Sequence, residues 1–421
     1  MDRRGEDRAA GGRTVTGDGS ALTAEQFGLW YQEQVSDTPS LYAEPVLFRI
    51  EGDLDPERLR AALSGVLGAH ARLGGAILVE DGWPVLVPGG SAPDVTVEQL
   101  DPPPGTTARE ALRAYATGLW HQGFDTGRGP LCRARVLCLG PHGYGLLLMV
   151  HHVVGDGWSV RLLCEEIAEA YRLRCSPSAA ETGAGTTGDG LGGVPGDLLP
   201  GVPADLTGAV VVDPFPSSAA EVVPRSFTLP ADTTGLDHAA LVRRVTPFTL
   251  HMAAFQQAVA TTSGARRFLV AFPDAARSPD TVRTVDCLIR MRLAVAAVPA
   301  AGHGEATLDS VCDALYDAVD GPSLTPDVLG ALTAAGLPSP SVALGVDTMP
   351  GLSLPGATAT WLPVALPRAK FALSLMLFQQ GGEPSGSGIV VEYDAARVTD
   401  DEAHAVVDQY LALLGEWAAA G

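Results

Sequence analysis

YGLLLMVHHVVGDGWSVRLLCEEIAEAYRL, residues 144–173, decides how this chain is read. Tyr144 to Val150 is an apolar run of strand length, closed by a pair of histidines. Ser159 to Leu173 places its apolar residues at helical spacing, with Ser159 as the expected N-cap. Between them lies a seven-residue turn, His151-His152-Val153-Val154-Gly155-Asp156-Gly157. Strand-to-helix turns present side chains at a sheet edge, where function concentrates. Histidine, with an unperturbed pKa near ~6.5, takes and returns a proton at neutral pH. An aspartate four residues on can orient a neighbour or pair with an arginine. Gly157, lacking a side chain, lets another group approach its backbone. The pattern is neither the Gly-x-Ser-x-Gly elbow of serine hydrolases nor the His-Glu-x-x-His of zinc proteases.

On the N-terminal side of this stretch, helix and strand signals alternate. Leu22 to Val35 reads as a helix with Thr23 as its cap, Tyr42 to Ile50 as a strand, and Asp55 to His70 as a helix. A hairpin around Asp81-Gly82, a helix from Thr107 to His121 and a strand from Leu131 to Leu139 follow. On the C-terminal side the composition breaks: Ser176 to about Gly208 is dominated by Gly, Pro, Ala, Thr and Ser. Beyond it, Pro247 to Ala260, Leu308 to Ala318 and Thr399 to Trp417 read as helices. Phe268 to Phe272, Ile289 to Val298, Val342 to Val346, Thr358 to Leu362, Phe371 to Leu377 and Ile389 to Tyr393 read as strands. The expected organisation is a disordered leader (1–20), a first lobe (21–175), a linker (176–214) and a second lobe (215–421). Both lobes are α/β (α+β), with a binding site at their interface.

At 421 residues, 46% hydrophobic and 18% charged, the chain can bury a sizeable core. Its net charge of −21 argues against nucleic acid or anionic membrane as a partner. None of the six cysteines forms a Cys-x-x-Cys pair, and no zinc-site spacing occurs, so no metal is expected and the thiols are read as reduced. The N-terminus has no apolar signal core, and no window approaches the ~18 apolar residues of a membrane span. A cytoplasmic location is the expectation.

The turn resembles the His-His-x-x-x-Asp-Gly signature of condensation domains from nonribosomal peptide synthetases. Other segments agree in order: Leu22-Thr23-Ala24-Glu25-Gln26 with Leu29-Trp30, Phe124-Asp125, Gly129-Pro130-Leu131 with Arg133, Thr246-Pro247-Phe248, Ala369-Lys370-Phe371 and Val391-Glu392-Tyr393. The resemblance implies two chloramphenicol-acetyltransferase-like lobes in a V, with a tunnel between them. It implies an acyltransferase, here read as a free-standing one. Such an enzyme joins an acyl or aminoacyl thioester, carried on the phosphopantetheine arm of an acyl- or peptidyl-carrier protein, to a small-molecule amine or alcohol. No bound cofactor is implied, and a monomer is the family expectation.

Carried over by residue, the candidate catalytic group is His152, with His151, Asp156 and Gly157 beside it. His151 is read as structural. Asp156 is expected to pair with Arg277 of the second lobe, supported by Trp158 and Ser159. Gly157 is expected to lie by the thioester, its N–H toward a developing oxyanion. Three features depart from the family: the Gly-rich linker stands where a Tyr/Trp-rich stretch and a Pro-Arg-rich run are usual, Ala276 stands where a glycine is usual, and Cys287-Leu288-Ile289-Arg290-Met291 replaces a Phe-Val-Asn-Thr run. Arg290 or Arg292 there, and Asp347, are candidate substrate contacts. The competing readings are an acyl-coenzyme A acyltransferase, an epimerase of the same fold and a non-catalytic docking platform.

Overall fold

The computed structural model describes residues 19–38, 41–175, 210–217, 221–300, 305–349, 351–380 and 387–420. Most of the expected leader and residues 176–209 of the expected linker lie outside the described residues. The first lobe runs β1 (Ser20–Ala21), α1 (Ala24–Val35), β2 (Ala43–Gly52), α2 (Pro56–Ala69), β3 (Ala76–Glu80), β4 (Trp83–Val87), β5 (Asp94–Gln99), α3 (Ala108–His121), β6 (Cys132–Cys138), β7 (Gly143–His151) and α4 (Gly157–Cys175). The second runs β8 (Pro224–Pro230), α5 (Leu236–Arg243), α6 (Pro247–Ser263), β9 (Arg267–Asp274), β10 (Arg290–Ala297), α7 (Glu305–Asp320), α8 (Pro326–Ala334), β11 (Val342–Met349), β12 (Ser353–Leu354), β13 (Ala357–Leu362), β14 (Leu373–Gln380), β15 (Gly388–Asp394) and α9 (Asp400–Ala419).

Local chemistry sets these boundaries. Thr23, Thr107 and Thr399 each close a capping box with a Gln or Glu three residues on, satisfying two helix-end N–H groups apiece. Residues 144–150 are buried on both faces, because helices cover each side of the sheet. Val46, Phe48 and Ile50 of β2 and Leu146, Leu148 and Val150 of β7 pack with α2 and α4. Leu47, Leu147 and Met149 face the other way, toward Leu112, Ala116 and Trp120 of α3.

Each lobe centres on a six-stranded sheet. The second-lobe order is β10-β9-β11-β14-β15-β8, and its main core lies under α6 and α9. The first-lobe order is β12-β13-β2-β7-β6-β5. Here the structure corrects the domain boundary: β13, assigned by sequence to the second lobe, pairs antiparallel with β2, Trp361 opposite Phe48. The chain returns to the first sheet, then re-enters the second at β14. Two smaller corrections concern the ends of the lobes. Ser20, counted with the leader, pairs with Leu86. Residues 211–213, counted with the linker, belong to the second lobe: Val211 is buried, and Asp213 holds Arg397 at 2.7 Å.

Candidate functional site between the lobes

The turn after β7 is built from both ends inward. His151 is fully buried. Its Nε2 lies 2.7 Å from Glu33 of α1, and its Nδ1 accepts the Val153 N–H at 3.2 Å. Gln26, also of α1, donates to the Val153 carbonyl and to Asp286. Phe124 stands edge-on to the His151 ring, with Arg133 over its face, and the His151 N–H donates to the Leu131 carbonyl. The opening helix and the Phe124–Arg133 segment thus form the wall behind the turn. Both ring nitrogens of His151 are engaged by residues of α1 and of the turn itself.

At the other end, Asp156 corrects the expected cap. The helix begins at Gly157, and the Asp156 carboxylate, not Ser159, accepts the third-position N–H, at 2.9 Å from Ser159 N. The same carboxylate takes Arg277 Nη2 at 2.6 and 2.7 Å, Ser159 Oγ at 2.8 Å and Leu288 N at 3.0 Å. Arg277 in turn donates to the carbonyls of Thr281, Thr284 and Asp286. Ser159 Oγ also bridges to the Asp286 backbone, and Trp158 Nε1 donates to the Val282 carbonyl at 2.8 Å. First-lobe residues 156–159 therefore clasp the second-lobe segment 277–288. Ala276, just before Arg277, sits at φ +46°, in the left-handed region where glycine is favoured.

His152 lies between these two anchored ends. Its N–H donates to the Tyr42 carbonyl at 2.8 Å, and its ring is edge-on to Tyr42. Nδ1 stands 3.7 Å from the Cys287 thiol. Burial pulls its pKa below the ordinary imidazole value; Glu44 and Asp156 oppose that pull, and Lys370 adds to it. The ring is accordingly neutral at neutral pH. Cys287 belongs to the run that departs from the family pattern, and burial pushes its thiol well above the usual range. Gly157 meets the second lobe closely: a Cβ there would fall 2.2 Å from Asp347 Oδ2. Burial raises the Asp347 carboxyl, against the pull of Arg161. The structure thus sets Gly157 against Asp347 and His152 against Cys287, each a contact between the lobes. Arg290 opens β10 and is half-buried, and no hydrogen bond or ion pair among the described residues ties it to the turn. Arg292 is committed to Asp274 and the Gly321 carbonyl.

Residues 18–181 match the Condensation domain family. A dimodular nonribosomal peptide synthase of Bacillus subtilis is 30% identical over 163 residues, 38% of this chain and 7% of that protein. Malpinin synthetase of Mortierella alpina is 28% identical over 158 residues, 37% of this chain and 2% of that protein. The chain therefore spans a small part of the length of these curated relatives. Among solved structures, the first condensation domain of the calcium-dependent antibiotic synthetase superposes with a TM-score of 0.74 at 17% identity, covering 95% of this chain and 96% of that one. SgcC5 of Streptomyces globisporus gives 0.73 at 17%, covering 95% and 98%. The chain has the condensation-domain fold. The epimerization domain of tyrocidine synthetase B shares it, with a TM-score of 0.70 at 16% identity and 96% and 98% coverage, so the fold alone does not choose the reaction.

Within this condensation-domain fold, a second charged cluster borders His152, and sequence reading did not find its members together. Arg368 donates to Glu44 through both terminal nitrogens, at 3.0 and 2.8 Å, and through Nε to Glu392 at 2.7 Å. Lys370 Nζ is 2.7 Å from Glu44 and 4.9 Å from the Tyr42 ring centre. Glu44 and Arg368 are 324 positions apart, so spacing carries no signal of their meeting. All six cysteines are free. Among the described residues, no group of three or more His, Cys, Asp or Glu is placed to hold a metal, and no helix is long and apolar enough to cross a membrane.

Proposed function

We propose that this chain joins a carrier-bound acyl or aminoacyl thioester to an amine or alcohol, forming an amide or ester. The observation that supports this most is the contrast between the paired histidines. His151 has both nitrogens occupied by Glu33 and the Val153 N–H, whereas the His152 ring lies between the lobes beside the Cys287 thiol and meets no charged side chain at hydrogen-bond distance among the described residues. The reading assigns Nε2 of His152 as the base. The attacking nitrogen or oxygen bonds to the thioester carbonyl carbon and gives its proton to Nε2. The tetrahedral intermediate collapses, the C–S bond breaks, and the proton passes to the departing phosphopantetheine sulfur. Thioester aminolysis needs little further activation, so orientation and exclusion of water between the lobes carry much of the rate. Gly157, at the start of α4, supplies a backbone N–H and a positive helix end for the developing oxyanion. Asp156, with its oxygens taken by Arg277, Ser159 and Leu288, serves the architecture. The partners in this reading are an acyl- or peptidyl-carrier protein and a small acceptor.

The test is intact-protein mass spectrometry of a carrier protein bearing acyl-phosphopantetheine, mixed with the chain and a panel of amines and alcohols. Loss of the acyl mass with appearance of the matching amide or ester supports the reading. A second donor class belongs in the same experiment, because the starter condensation domain of rhizomide synthetase, a structural neighbour at TM-score 0.74 and 17% identity, is described in complex with C8-CoA. Turnover of acyl-coenzyme A without discharge of any carrier would move the donor assignment; silence with both donors would overturn the acyltransferase reading.

A further inference from the structure

The geometry points to Glu44, Arg368 and Lys370 as a positioning device for His152: Arg368 clamps the strand that holds its backbone, and the Glu44–Lys370 pair sets the charge beside its ring. This inference rests on the reading of His152 as the base. Strand carbonyls alternate in direction, and β2 with the residue pair before it uses both directions. The carbonyls of Leu41 and Ala43 accept from Arg368 Nη1, at 3.0 and 3.2 Å. The carbonyl between them, of Tyr42, accepts the His152 N–H. A second-lobe guanidinium thus fixes the segment from one side while His152 hangs from the other.

The ring is placed by the same cluster. Tyr42 lies between the Lys370 ammonium, over its face, and the His152 ring, set against its edge. Glu44, the next strand residue but one, contacts both Lys370 and Arg368, and Glu392 contacts Arg368, so two carboxylates face two cations. Burial raises the Glu44 carboxyl, but Arg368 and Lys370 outweigh it and hold the group well below the usual carboxylate range. Glu44 therefore keeps its charge as the pH falls through the ordinary carboxylate range. The groups that bear on His152 are Tyr42 just before β2, Glu44 in β2, Lys370 before β14, Asp156 in its own turn, and Cys287 before β10. Of these, Asp156 is neutralised by Arg277, and Cys287 is an uncharged thiol, which leaves Glu44 and Lys370 as the adjustable pair.

The experiment is a ring-carbon NMR titration of histidine-labelled full-length chain, with the His152 signal assigned by its loss in His152→Ala. Glu44→Gln removes a negative charge and is expected to lower the His152 midpoint by about half a pH unit or more. Lys370→Met removes a positive charge and is expected to raise it by a similar amount. The acid limb of kcat/KM should move with each. Lys370 is partly exposed and tolerates replacement more readily than the buried Arg368, so Lys370→Met decides the matter if Glu44→Gln does not fold. Opposite shifts in variants that melt with the parent support the inference. Midpoints that stay fixed, or move in the same direction, overturn it. The titration needs no turnover, so a silent enzyme with shifting midpoints would overturn the proposed function and leave the device standing.

Discussion

Two residues of the turn 151–157, Asp156 and His152, are held in opposite ways. At Asp156, both carboxylate oxygens are taken up by one guanidinium, two backbone N–H groups and a hydroxyl. At His152, the ring has a sulfur contact, an aromatic edge and a hydrogen bond within its own backbone, and charge reaches it from residues that are paired with one another. A saturated carboxylate has no lone pair to offer a substrate. An under-saturated neutral imidazole does. On the proposed reading, the difference gives architecture to Asp156 and chemistry to His152, within a span of five residues.

The comparison can be broken most readily at the saturated end. Asp156→Ala leaves Arg277 buried without a counter-ion, and unfolding in urea should show a loss of about 3–5 kcal/mol. Arg277→Ala should cost a similar amount, and the double variant less than the sum, because the two share one interaction. A well-folded but inactive Asp156→Ala would place chemistry at the wrong end. Next in size is Glu33→Gln, which exchanges the charged partner of buried His151 for a neutral amide; a loss of about 1.5–3 kcal/mol is expected, with catalytic constants of the surviving folded protein little changed. Gly157→Ala forces Asp347 aside and should cost about 1–3 kcal/mol by thermal melting. The smallest effect sharpens the picture at Ala276: replacing it with glycine relieves a left-handed alanine, and a gain of about 1 kcal/mol is expected beside an intact Arg277.

A pH profile probes the other end. Because burial holds the His152 pKa below its ordinary value, kcat/KM should persist as pH falls through ~6.5 and drop only beneath it. An acid limb above that value would mean that the ring gains a charged partner the structure does not show.

Much of this was legible along the chain. The strand, the turn and the following helix could be read from residues 144–173 because they are contiguous, and the Asp156–Arg277 pair followed from the family resemblance. The helix start was misread by two residues: Asp156 and Ser159 are both good caps, and only the structure shows which one faces the helix N–H groups. The alternation in Thr358 to Leu362 indicated a strand, but alternation carries no address, so its crossing into the first sheet was invisible. Strand β5 was not anticipated: an edge strand with every residue half-buried or exposed leaves weak periodicity. Cys287 beside His152, and Glu44 under Arg368 and Lys370, depend on contacts across the lobes. No local pattern encodes such pairings.

The most direct test of the central claim is the rate at which parent and His152→Ala discharge an acyl-loaded carrier to an amine, measured on protein whose melting curves coincide. The account predicts that the variant stays folded and slows by about 10²–10⁴-fold. Discharge at the parental rate by a folded His152→Ala would contradict it.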